Sequence, residues 1–103
     1  MQVELSKIEI VPVAPCRGLV AFATFVVNDA FSVGDVGIYT RPGGDGYRLS
    51  YPEKTLRNGA KVAVFRPLRQ DVGRQIEEQV SEAYRQLLQK VEEERRSTDQ
   101  ETE

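Results

Sequence analysis

The chain has 103 residues, room for one domain with a modest core that a dimer interface would help to complete. It contains no histidine and a single cysteine, Cys16. That excludes an internal disulfide, a cysteine metal cluster, the usual zinc ligand and every serine–histidine or cysteine–histidine device. The formal net charge of −2 hides a pattern: residues 41–74 carry eight Lys and Arg against three Asp and Glu, whereas residues 75–103 carry four against nine. A basic middle beside an acidic end points to an anionic partner.

No apolar run approaches the ~20 residues of a membrane helix, so no membrane partner is expected. Met1-Gln2-Val3-Glu4 lacks a basic segment followed by an apolar stretch, so a signal peptide is not expected and a cytoplasmic protein is. The first element is a strand in which Val3, Leu5, Ile8, Ile10 and Val13 alternate with polar residues, with one slip of phase between Leu5 and Ile8 that predicts a bulge. Pro12 and Pro15 confine its end to an edge or a loop, and Ala14 to Gly18 reads as a turn. Leu19 to Val27 is apolar on both faces and reads as a strand buried on both sides. Asn28-Asp29 predicts a short hairpin turn.

Phe31 and Val33 begin a third strand with a second phase slip, flanked by Gly34 and Gly37, after which Val36 and Ile38 point inward. Arg41 to Gly46 (RPGGDG) is a loop. Tyr47, Leu49 and Tyr51 share the core face of a fourth strand, which Pro52 ends. Asn58-Gly59 predicts a tight turn, and Lys61 to Phe65 a fifth strand. The period then changes to 3.6: Val72, Ile76, Val80, Ala83, Tyr84, Leu87, Leu88 and Val91 form the stripe of a helix capped by Asp71 and running to about Arg95.

The expectation is an α+β fold: a small antiparallel sheet of about five strands followed by one long C-terminal helix. Residues 1–96 form the domain and residues 97–103, without an apolar member, a disordered acidic tail. A helix from Asp71 to Arg95 is ~37 Å long, and a six-residue strand only ~20 Å. The helix overhangs its sheet, and a second copy of the chain is the simplest cover. Val80, Tyr84, Leu87, Leu88 and Val91 are the candidate dimer interface.

No catalytic or metal-binding set assembles. The RPGGDG loop lacks the Gly-Lys-Ser/Thr ending of a phosphate loop. Asp29 suits a turn, Asp35 a strand surface, Glu92-Glu93-Glu94 a solvated helix end, and Cys16 is a plain loop thiol. Arg17-Gly18 begins like the RNA-recognition-motif signature, but the aromatics fall at the wrong positions. The basic middle remains. Lys54 and Arg57 share a loop, Lys61 follows, and Arg66, Arg69 and Arg74 surround the strand-to-helix junction. There the helix N-terminus adds N–H groups suited to a phosphate.

Phe31-x-Val33-x-Asp35-Val36, Leu49-x-Tyr51-Pro52-x-Lys54, Gly59, Arg66-Pro67 and a helix with Ile76, Val80 and Tyr84 together resemble the stage V sporulation protein G (SpoVG, septation regulator) family of bacteria, in order from Val3 to Leu87. The resemblance implies a dimer with a sheet and a C-terminal helix that binds DNA, and RNA as a second possibility, as a regulator. Lys54 matches the lysine of the family's Pro-Ser-Lys-Arg, here Pro52-Glu53-Lys54-Thr55; the arginine is lost, and Arg57 is its candidate replacement. The family's Asp-Ile-Ala-His-Pro stands here as Ala63-Val64-Phe65-Arg66-Pro67, which marks a divergent member. The expected function is a homodimeric nucleic-acid-binding regulator with no cofactor and no small-molecule substrate. Lys54, Arg57, Lys61, Arg66, Arg69 and Arg74 would contact phosphates. The alternative is a dimeric protein–protein adaptor that has lost nucleic-acid binding.

Overall fold

The computed structural model describes residues 1–101, with side chains as far as Arg96. The alternating segments pair in chain order. Strands β1 (Leu5–Cys16), β2 (Leu19–Val27), β3 (Phe31–Thr40) and β4 (Tyr47–Ser50) form one antiparallel sheet in the order β1-β2-β3-β4. A two-residue turn joins β1 to β2, and the three residues Asn28 to Ala30 join β2 to β3. Arg17 and Gly18 have φ of 52° and 90°, and Asn28 and Asp29 have 48° and 53°. Positive φ at both central residues is the turn geometry that matches the twist of the flanking strands.

Both expected phase slips are bulges. Lys7, at φ 49°, lies in the register shift between Ser6 and Glu9 on β1. Asp35, at φ 55°, lies where β2 and β3 shift register between Val33 and Val36. A bulge restores the inward phase of the strand beyond it. Val33, Val36 and Ile38 therefore all reach the core, where they join Ala21, Ala23 and Phe25 of β2.

Helix α1 (Gln70–Glu101) lies on one face of this sheet and contributes Ile76, Val80 and Tyr84 to the core. Fully burying a side chain such as Phe25, Ile38 or Ile76 stabilises by about 1.5–3 kcal/mol. The other face of the sheet is open, which corrects the expectation that β2 is buried on both sides. Phe22 is 39% exposed and Thr24 is also exposed, because a single helix can cover only one face.

Three further expectations change in detail. Lys61 to Phe65 does not join the main sheet. Its ordered part, β6 (Lys61–Ala63), pairs with β5 (Glu53–Thr55), a segment expected to be loop, as a separate ribbon. The cause is local: Asn58-Gly59 closes the chain on itself, with Gly59 at φ 87° and the Ala60 amide donating to Asn58 Oδ1 at 3.0 Å. Asp71 is not the N-cap. The Arg69 carbonyl accepts from the Gly73 amide at 3.0 Å, so Arg69 holds that position and Asp71 sits in the first turn. The helix also continues past its expected end to Glu101, into the segment expected to be a tail; residues 102 and 103 of that tail lie outside the described residues.

The chain start is stitched down on both sides. The Val3 amide donates to Gln75 Oε1 and the Leu5 amide to Gln79 Oε1, each at 2.9 Å. Gln79 Nε2 returns a bond to the Val3 carbonyl at 2.8 Å, and Gln75 Nε2 one to the Met1 carbonyl at 2.7 Å. On the opposite side, the Glu4 amide donates to Asn28 Oδ1 at 2.7 Å, and the Asn28 amide to the Glu4 carbonyl at 2.8 Å. Two glutamines one helical turn apart thus replace the missing neighbour of an edge strand. No helix among the described residues is long and apolar enough to cross a membrane.

Candidate nucleic-acid interface

The ribbon gathers Lys54, Arg57 and Lys61 on one small element. Lys54 pairs across it with Val62, and Thr55 with Lys61. Alternation therefore puts Lys54 and Lys61 on opposite faces, and Arg57 sits in the turn between the strands. Arg66 and Arg69 follow in the connection to α1, and Arg74 is exposed on the helix itself. Packing of Phe65 on Tyr51, ring centroids 5.8 Å apart, anchors the base of the ribbon, and Pro67 comes within 3.4 Å of where a Cβ on Gly73 would lie. Burial, helped by the nearby charge of Glu77, pushes the Tyr51 phenol up to about 12.

The six basic candidates differ in what they have free. Lys54, Arg57, Lys61, Arg66 and Arg74 form no ion pair among the described residues. Arg69 does: its Nε lies 2.8 Å from Asp71 Oδ1. Asp71 also receives the Met1 ammonium at 3.3 Å. The Arg69 hydrogen bond, assisted by that ammonium, holds the Asp71 carboxyl down at about 2. The helix N-terminus expected to welcome a phosphate thus already faces a carboxylate, which repels one. Arg69 and the helix start are less available to an anion than their positions in the sequence suggest.

The ribbon also exposes apolar residues, two of them from the segment expected to be a fifth strand and one from the loop before it. Leu56, Val62 and Val64 are all exposed. Leu56 bonds through its amide to Ala60, so it shares the face of Lys54 and Val62. The alternation of Lys61 to Phe65 gave no signal of this, since a ribbon strand and a sheet strand have the same period. Tyr47 does face the core as expected, edge-on to Tyr84 with centroids 5.0 Å apart.

The five candidate interface residues separate cleanly. Val80 and Tyr84 belong to the chain's own core and have no surface left for a partner. Leu87 is half-buried and lines a cleft with Ile8 and Ile10 of β1. Leu88 and Val91 are 44% and 48% exposed. Strands β1, β2 and β3, of 12, 9 and 10 residues, are longer than the six expected, so the sheet supports the helix as far as Leu87 and no further. A helix of 32 residues is ~48 Å long, and the longest dimension of the molecule is 58 Å.

The fold and the ribbon define a small α+β protein that carries an exposed basic two-stranded ribbon. The SpoVG family model matches residues 1–86, and the chain belongs to the SpoVG family. Membership makes it a SpoVG-like regulatory protein, in that family's sporulation and septation setting. The match covers the sheet, the ribbon and the packed half of α1, and stops where the uncovered half begins. No curated relative matches the chain.

Proposed function

We propose that this chain is a homodimeric regulator that binds nucleic acid, duplex DNA first and RNA second, through the β5–β6 ribbon. The observation that carries the reading is the set of cations Lys54, Arg57 and Lys61, exposed on one two-stranded element and without an ion pair among the described residues. Arg66 and Arg74 extend the positive surface beyond it. A two-stranded ribbon is narrow enough to enter a DNA groove, and cations on both of its faces would meet phosphates on either side. Phosphate contacts of this kind supply affinity with little sequence choice. The dimer rests on Leu88 and Val91, whose apolar surface continues past the sheet.

The test is a salt titration. For B-DNA, each phosphate contact contributes ~0.9 to the slope of log K against log salt. Lys54→Ala with Arg57→Ala should therefore weaken duplex binding and lower the slope by about 1.8. Glu92→Ala with Glu93→Ala should leave both unchanged. An unchanged slope in the ribbon variant would remove these residues from the interface. Absence of wild-type binding even at low salt would favour a second reading, a protein–protein adaptor. The exposed Leu56, Val62 and Val64 speak for that alternative.

A further inference from the structure

We propose that the open face of the sheet, opposite the helix, is a second nucleic-acid surface that stacks the bases of a single strand on Phe22 and on the Tyr39–Arg48 pair. The inference rests on the nucleic-acid reading above but uses a different face and a different ligand form.

Phe22 lies opposite Val11 on one side and Gly37 on the other. Val11 is 63% exposed, so the row is open to solvent. Gly37 offers no side chain, and Tyr39 fills the space: its Cε2 lies 3.0 Å from where a Cβ on Gly37 would be, and its Cδ1 3.7 Å from the same position on Gly18. The ring is held against backbone at two glycines. Arg48, cross-strand partner of Tyr39, sets its guanidinium 4.4 Å from the ring centroid. Tyr39 stands two residues along β3 from the glycine facing Phe22, a diagonal neighbour ~7–8 Å away. The result is a short row of planar groups on the sheet surface, with a cation over one end.

The chemistry of the face favours a nucleic-acid strand over a second sheet. Sheet-on-sheet packing needs apolar side chains that interdigitate across the whole interface. Here polar side chains interrupt the face: Ser6 and Ser32 lie on either side of Val26, and Glu9 faces Thr24. Ser50 lies opposite Gly37. The charge is arranged in one direction. Arg48 and the exposed Arg17, which adjoins Gly18, are at the Tyr39 end without ion pairs among the described residues, while Glu9 lies beyond Phe22. Bases have apolar faces and polar edges, and their phosphates need cations to one side. Aromatic rings and an arginine plane provide the first, and Arg17 with Arg48 the second.

The experiment uses the full chain and fluorescein-labelled twelve-nucleotide DNA and RNA strands, with a twelve-base-pair duplex alongside. Phe22→Ala with Arg48→Ala should weaken single-strand binding about tenfold, and leave duplex binding within about twofold since the ribbon is untouched. Because Phe22 is partly buried, a mapping experiment on the wild type accompanies it. Photocrosslinking with 5-iodouracil strands should label Phe22 or Tyr39. Labels confined to the ribbon, or single-strand affinity unchanged in the folded variant, would overturn the proposal. So would loss of self-association by light scattering with single-strand binding intact, which would give the face to a second copy. Wild-type binding to duplex but to no single strand would overturn this inference alone; binding to neither would remove the ribbon reading as well.

Discussion

Replacing Gln79 by Ala should loosen the start of the chain from the helix. Gln79 is half-buried, accepts from the Leu5 amide at 2.9 Å and donates to the Val3 carbonyl at 2.8 Å. Truncation removes both bonds and leaves two backbone groups beside the core residue Val3. A net ~0.5–1.5 kcal/mol for each bond gives a loss of about 1–3 kcal/mol, with the lower end applying where water reaches the freed groups. For a domain of this size, each kcal/mol lowers Tm by roughly 4–8 °C, so the variant should melt at least about 4 °C below wild type. Gln89→Ala, on the exposed side of the same helix, is the control and should stay within about 0.5 kcal/mol. Urea unfolding followed by circular dichroism gives the stability, and amide hydrogen exchange locates it. Leu5 should lose protection, while amides of β2 and β3 change only as far as global stability does. A melting temperature within a degree of wild type, together with unchanged Leu5 exchange, would refute the view that these glutamines replace a strand neighbour.

Ile76→Ala, at a site 1% exposed between helix and sheet, should cost about 2–5 kcal/mol, read from the urea midpoint. Leu88→Glu with Val91→Glu should reduce self-association in light scattering without lowering monomer stability, since both positions are outside the chain's own core; a wild-type monomer at micromolar concentration would end the dimer proposal. Asp71 has its pKa depressed to about 2 when folded. Its contribution is therefore present above the ordinary carboxylate pKa of ~3.9 and lost as pH falls toward 2. The stability gap between wild type and Asp71→Asn should be constant near pH 6 and shrink between pH ~4 and ~2; a pH-independent gap would contradict the ion pair. Tyr51 behaves in the opposite sense. Its raised pKa of about 12 keeps the folded phenol neutral while the unfolded one ionises, so stability should decline above pH ~10, and Tyr51→Phe should decline less.

Local periodicity was enough to read the main elements of this protein. Alternation located β1, β3 and β4, a continuous apolar run located β2, and the two slips of phase, at Leu5–Ile8 and at Gly34–Gly37, became bulges with Lys7 and Asp35 at positive φ. The change of period to 3.6 located α1 and its core residues Ile76, Val80 and Tyr84. Such patterns are legible because side-chain direction follows from backbone geometry within a few residues. What lies across a gap in sequence has no such signal. Whether Lys61–Ala63 pairs with β4 or folds back on Glu53–Thr55 depends on which partner the Asn58-Gly59 turn delivers, and the strand itself looks the same in either case. Gln75 and Gln79 read as ordinary polar helix positions, yet they hold residues more than seventy positions away. Charge counts marked Arg69 as a phosphate contact, but only the folded chain places Asp71 against it. Residue spacing also put Val80 and Tyr84 on the same stripe as Leu88 and Val91. The extent of the sheet decided which of them it buries and which it leaves exposed, because burial depends on where the covering element ends.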